Sequence, residues 1–312
     1  MGKLKEQAKK DFWSYTDFKH SVFSEDIFTE LTHPELRIQK FAETCALNLK
    51  KLRGEPSVPP KISVVINAYN EAPSILGLLY SFGMNENAPT TEVIVVDNAS
   101  TDQTAYISTL SGTRVIRHEI KGCAGAVRAG IFAAKGEIIL HTDADGYSSP
   151  HLLRSVADHF DNHSKIDAFF GPEKYVGETG PSVKVEAYNI AKEIGHTLLS
   201  KLSYKHKKGN GRNFAARREA LMAFDGAFDS DIQIAEDLHA ALHFINNGTM
   251  GIIRDQDAFI ITSARRLEEV GFFVVAWQRL FSIDLPFILG NNFKKGSFDK
   301  VFPAIRENIS TD

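Results

Sequence analysis

From Lys61 onward the chain alternates between two hydrophobic patterns. Short β-branched runs at Ile62 to Asn67, Glu92 to Asp97, Arg114 to His118 and Glu137 to Thr142 predict strands. The amphipathic stretches between them predict helices. Pro73 suits the first turn of one helix, Ser100 with Gln103 reads as a capping box for the next, and Ser149 with Pro150 opens a third at about His151. Alternation of strand and helix implies crossovers between parallel neighbours, hence an α/β fold with a mainly parallel central sheet flanked by helices. In such sheets ligands sit beyond the carboxyl ends of the strands. The polar segments Asn67 to Glu71, Asp97 and Asp143 to Asp145 all fall there.

Beyond Pro150 the pattern predicts a short Phe-rich strand near Ala168 and a long helix from about Val183 to Tyr204. A Gly-rich segment, a helix from about Glu236 to Asn247 and a strand from Gly251 to Thr262 follow. Residues 1–55 have helix-like spacing that ends at Pro56, Pro59 and Pro60. The expected division is therefore a helical N-terminal extension over 1–58, a principal domain over 59–265 and a helical, aromatic C-terminal tail over 266–312. Within the principal domain the pattern changes at Pro150, dividing it into 59–150 and 151–265.

Composition narrows the function classes. The chain has 312 residues, 43% of them hydrophobic, enough to bury a sizeable core. A net charge of −3 gives no basic field for nucleic acid, which is therefore not an expected partner. Cys45 and Cys123 show no zinc or disulfide spacing. The amino terminus has no apolar signal core, so a cytoplasmic location is expected, and the N-x-S/T matches at Asn98, Asn162, Asn247 and Asn308 carry no weight. The apolar stretch from Gly271 to Gly290 is interrupted by Gln278, Arg279, Asp284 and Pro286, against a membrane span. The tail from Phe272 to Phe302, with Lys294 and Lys295, suits packing on the domain or a partner, or peripheral contact with the inner membrane face or a lipid-linked acceptor.

Asp143-Ala144-Asp145 places two hard oxygen ligands directly after a strand, with Gly146 expected to let the backbone bend. That pair suits magnesium or manganese bridging to a diphosphate, or simply a solvated turn. Asp97 can accept hydrogen bonds from a base imide or ribose, and Asn67, Tyr69, Asn70 and Glu71 offer amides and an aromatic face beside it. The glycine spacing of Gly122 to Gly130 does not match a dinucleotide loop. Glu236 and Asp237 open a predicted helix, where the helix dipole favours an ionised carboxylate. Lys205 to Arg218, including Arg212, reads as a basic loop that can meet a diphosphate, and Arg265 and Arg266 can hold diphosphate oxygens in forked geometry.

Taken together, S-V-V-I-N-A-Y-N-E, V-I-V-V-D-N-A-S-T-D, G-C-A-G-A-V-R-A-G, H-T-D-A-D-G and A-E-D-L-H resemble, in content and order, the family 2 glycosyltransferases over about residues 60–265. The resemblance implies a GT-A fold, with 59–150 the nucleotide-sugar half and 151–265 the acceptor half, and metal-dependent, inverting transfer of a sugar from a nucleotide diphosphate, a uridine carrier being favoured, to an acceptor hydroxyl on a glycan or lipid. It implies that Asn70, Glu71 and Asp97 contact the nucleoside, Asp143 the ribose and Asp145 the metal, with Arg128 at the family's arginine position. It also implies that Asp237 deprotonates the acceptor. The Q-x-x-R-W of processive members is replaced by Trp277-Gln278-Arg279-Leu280, against polymer synthesis. Two rivals are a degenerate nucleotide-sugar binding module and a nucleotidyltransferase on a similar core. The second requires a basic Gly-rich loop after the first strand, where N-A-Y-N-E stands instead.

Overall fold

The computed structural model describes residues 34–177, 183–190, 213–224, 243–255, 257–264 and 271. In chain order its elements are α1 (Pro34–Arg53), β1 (Ile62–Ala68), α2 (Ala72–Gly83), β2 (Thr91–Asp97), α3 (Thr104–Leu110) and β3 (Arg114–Arg117). Next come α4 (Cys123–Ala133), β4 (Ile138–Asp143), β5 (Gly146–Ser148), α5 (Leu152–Asn162), β6 (Ala168–Phe170) and β7 (Glu173–Val176). The last are β8 (Phe214–Arg217), α6 (Arg218–Ala223), β9 (Met250–Ile252) and β10 (Ile260–Ser263).

Among the described residues, seven strands form one sheet in the order β3-β2-β1-β4-β8-β6-β9. Strands β1 to β4 run parallel, β8 is antiparallel to β4 and β6, and β6 pairs parallel with β9. The mixed, mainly parallel sheet read from the alternating pattern is present. Successive side chains of β1 serve opposite faces. Val64 and Ile66 enter one buried cluster with Leu78, Phe82, Leu152 and Phe160, whereas Val65 enters another with Val127, Ile131 and Phe214. Cys45 and Leu49 of α1 lie in the first cluster, so this helix shares the core of β1 and β2. Burial pushes the Cys45 thiol up to about 12, which makes it a small core residue and a poor nucleophile.

Four local expectations are corrected. The predicted strand from Gly251 to Thr262 is two strands in different sheets: β9 closes the large sheet, whereas β10 pairs with β5 and β7 in a three-stranded sheet. Ser100 does not form a capping box with Gln103, since α3 begins at Thr104 without a side-chain cap at Gln103. Ser100 Oγ instead accepts from Asn70 N–H at 3.0 Å. The end of the basic segment read as a loop is ordered as β8 and the start of α6. There Arg217 lies opposite Ile138 at the amino end of β4, and Arg218 Nε donates to Ala134 O at 2.8 Å. These two arginines stand at the sheet end opposite Asp143. Gly146, finally, has no positive φ. A Cβ there would meet Ile261 O at 2.6 Å, so the glycine admits the close approach of β10.

Candidate functional site

Strand register aligns the polar ends of four strands. Asn67 of β1 lies opposite Asp143 of β4, Ala68 opposite Asp97 of β2, and Asp97 opposite Arg117 of β3. Residues read separately along the sequence therefore form one row across the carboxyl edge of the sheet.

Side-chain hydrogen bonds hold the two loops beyond this row. Asn70 adopts φ +52° and Ala99 φ +58°, a left-handed region that disfavours a Cβ-bearing residue unless the surroundings impose it. Asn70 Oδ1 accepts from Thr101 N–H at 2.8 Å, and Glu71 N–H donates to Thr104 Oγ1 at 2.9 Å. Asp102, absent from the sequence candidates, ties the loops together by accepting from Ala72 N–H at 3.1 Å and Thr104 N–H at 2.9 Å. Burial works against its charged form, but the bonds from the Thr104 side chain and from these backbone groups outweigh it and hold the carboxyl below its usual range. The glycine-rich segment is explained by packing as well. At Gly130 a Cβ would lie 2.4 Å from Val65 Cγ1, so this residue brings α4 onto the sheet, while Gly122 N–H donates to Asn98 Oδ1 at 3.1 Å.

Asp97 is fully buried. Its Oδ1 accepts from Ser100 N–H at 3.1 Å and its Oδ2 from Arg117 Nη1, which also donates to Ser100 O at 3.0 Å. The bond to Asp97 raises the already high guanidinium pKa. Sequence reasoning found the carboxylate and missed the arginine 20 residues later. The available signal was a charged residue closing the next apolar strand. Asn67 Nδ2 donates to Cys123 Sγ at 2.9 Å, and its Oδ1 is buried with no partner among the described residues. Lys121 Nζ donates to Tyr69 OH at 2.9 Å and lies 4.9 Å from the centre of that ring.

Asp143 ends β4 and Asp145 precedes β5, so these half-buried carboxylates bracket the turn at which the chain passes from the large sheet to the small one. β10 fixes that turn: Ser263 N–H donates to Asp145 O at 3.2 Å, and Thr262 Oγ1 donates to Asp145 Oδ1 at 3.4 Å. Next to it, Tyr147 packs on α2 where Gly77 leaves room, and burial raises its phenol pKa. No group of three or more His, Cys, Asp or Glu side chains that could hold a metal occurs among the described residues. Two carboxylates on one turn suit part of the oxygen shell of a magnesium-type ion, and do not make an all-protein cage.

Arg128 lies within α4, its guanidinium carbon 4.8 Å from the Phe132 ring centre. Asn67, Tyr69, Asn70, Glu71, Asp97, Asp143 and Asp145 thus come together at the strand ends and their loops. Arg212, Glu236, Asp237, Arg265 and Arg266 lie outside the described residues, as does the tail from Phe272 to Phe302. No described helix is long and apolar enough to cross a membrane.

A family model described as glycosyl transferase family 2 matches residues 63–226, more than half of the chain. Human dolichyl-phosphate beta-glucosyltransferase is 38% identical over 103 residues, 28% of this chain and 31% of that protein. The chain spans less than half the length of the curated relatives it matches. Among solved structures, Staphylococcus aureus TarS residues 1–349 with UDP-GlcNAc superimposes at TM-score 0.51 and 22% identity, covering 77% of this chain and 70% of that one. The mannosyltransferase PcManGT of Pyrobaculum calidifontis, in complex with GDP-Man and Mn2+, superimposes at TM-score 0.54 and 20% identity, covering 78% and 72%. These likenesses identify the fold as GT-A.

Proposed function

The chain belongs to glycosyl transferase family 2, and from that premise we propose that this glycosyltransferase binds a nucleotide-diphosphate sugar along the carboxyl edge of its large sheet. It then transfers the sugar to a hydroxyl acceptor with inversion. The observation that carries the reading is the single row of Asn67, Asp143, Asp97 and Arg117, flanked by a turn with two half-buried carboxylates. Such a row gives one extended ligand hydrogen-bonding partners along its length.

In this reading Tyr69, Asn70 and Glu71 form the nucleoside end, with the buried Asp97 bracing it from below, and Asp143 meets the ribose. Asp145 is the residue that would hold a divalent cation at the diphosphate end. A bound magnesium or manganese ion would neutralise charge on the departing diphosphate. Asn67 Oδ1, buried with no partner among the described residues, gives the edge an acceptor for a ligand, since a buried acceptor without a bond is costly to keep. Asp237 takes the proton from the acceptor hydroxyl, and Arg212, Glu236, Arg265 and Arg266 serve the diphosphate or acceptor. Arg128 reaches the donor from α4. A manganese-bound GDP-sugar complex in one structural relative and a UDP-sugar complex in another support the donor class without choosing the base.

Calorimetric titration of UDP and GDP with and without manganese, followed by a donor-sugar hydrolysis screen, tests the reading. Metal-strengthened binding and slow hydrolysis of one donor are expected. Equal affinity with and without metal would remove the bridging role of Asp145, and no nucleotide binding at all would remove the donor site.

A further inference from the structure

Asp97 has the chemistry to read a base, but it is sealed. Its side chain is 0% exposed, and each oxygen already accepts a hydrogen bond, one from the Ser100 backbone and one from Arg117. Arg117 is arranged the other way round, with 44% of its side chain exposed. Its Nη1 is used twice, on Asp97 and on Ser100 O, and its Nε lies 3.5 Å from Glu119. Nη2 has no partner among the described residues. A guanidinium clamped at one nitrogen by a buried carboxylate and open at another is a preorganised donor with little rotamer freedom left to lose.

Its position fits the base end of the ligand. With the diphosphate at Asp145 beyond β4, the order β4-β1-β2-β3 places Arg117 three strand spacings away, roughly 14 Å. An extended nucleoside diphosphate laid along the row reaches its base there. We infer that Arg117 is the residue that meets the nucleobase, donating from Nη2 to a ring carbonyl, and that Asp97 is a positioning residue that holds Arg117. This rests on the proposed reading of the edge as a nucleotide site. A fixed donor selects keto bases, uracil, thymine or guanine, over cytosine and adenine, which present an amine where those bases carry the carbonyl. Donor facing donor leaves both groups unpaired, the arrangement that gives polar sites their sharpest discrimination.

The test is calorimetry of the full chain with UDP, CDP, GDP and ADP. UDP and CDP form the size-matched pair. The wild type should favour UDP over CDP by roughly 10- to 100-fold, the worth of one hydrogen bond to a charged group. Arg117→Lys keeps a cation beside the buried carboxylate, and so keeps the fold, but its ammonium, drawn to Asp97, has no second nitrogen to extend toward the base. It should bring UDP down to the level of CDP with the denaturation midpoint nearly unchanged. Arg117→Met combined with Asp97→Asn removes both charges together and should show the same loss of selectivity. If Arg117→Lys or the double variant keeps the wild-type ratio, Arg117 is structural and the inference falls while the nucleotide site stands. A wild type that binds nucleotides without preferring UDP to CDP overturns it in the same way. If the wild type binds none of the four nucleotides, the donor-site reading falls and takes this inference with it.

Discussion

At the amino ends of β1, β2 and β4 the polar groups satisfy one another. Lys61 Nζ donates to Glu137 at 2.9 Å and Asp161 at 3.0 Å, and Ser63 Oγ donates to Glu92 at 2.6 Å. Lys135 N–H also donates to Glu92, at 2.7 Å, and Gly136 N–H donates to Ser63 Oγ at 2.8 Å. At the carboxyl ends the same kinds of group are held in place with bonding capacity to spare. Among the described residues, Asn67 Oδ1 is buried without a partner and Arg117 Nη2 has none. Polar side chains at a sheet end therefore do not by themselves make a site. An end becomes one when local bonding fixes the groups and still leaves donors and acceptors unused.

The largest effect expected at the carboxyl end is on turnover. Asp145→Ala should weaken metal-dependent donor binding and slow transfer by roughly 100-fold or more, on the view that a shared cation is worth several kcal/mol. Asp237→Asn should lower kcat by roughly 10²- to 10⁴-fold with donor affinity unchanged, the signature of a lost general base. Steady-state kinetics paired with donor titration separates the two. Near-normal turnover in Asp237→Asn would pass the base to Glu236 or Asp231.

Gly130→Ala attacks the packing beneath the site, because the added methyl meets Val65 Cγ1 at 2.4 Å and Val96 Cγ2 at 2.8 Å. Pushing α4 off the sheet should cost about 1–3 kcal/mol, read as a lower denaturant midpoint. A wild-type midpoint would show that α4 shifts freely.

Asn67→Ala sharpens the comparison directly. If the unused Oδ1 serves a ligand, nucleotide affinity should fall about fivefold, near the net value of one hydrogen bond, with little change in folding stability. Unchanged affinity would make Asn67 a structural residue, as the hydrogen-bonded Ser63 is at the other end.

Two smaller effects complete the series. Asp102 titrates lower in the folded chain than its ordinary carboxylate value, so its stabilising part is complete above about pH 4 and lost as pH falls through the lowered value. Asp102→Ala should cost about 1 kcal/mol at neutral pH, from its hydrogen bonds, and should flatten the stability loss below pH 4. Lys61→Ala at the amino end should change stability by less than about 1 kcal/mol and leave turnover untouched, because its carboxylate partners are largely exposed. A Lys61→Ala variant with impaired turnover would erase the distinction between the two ends.

Much of this molecule could be read from local pattern. The β-branched runs located β1 to β4 within a residue or two, and Pro73 fell in the first turn of α2, because an apolar run bounded by polar residues has few other ways to bury itself. The polar residues closing those runs were legible as one edge, and their order in the chain was enough to suggest the family. Tertiary structure alone decided which residue faced which. Register across β1, β2 and β3 set Arg117 on Asp97 and sealed the carboxylate that the sequence offered as an open reader. The same is true of Ser100, taken from its expected cap by Asn70, and of Gly146, needed for the approach of β10 from more than 100 residues away. The run from Gly251 to Thr262 divides between two sheets because its pairing partners, β6 on one side and β5 with β7 on the other, lie far off in the chain. Strand and helix formation depends on neighbours in sequence, whereas a buried hydrogen bond depends on neighbours in space, which a linear chain does not display.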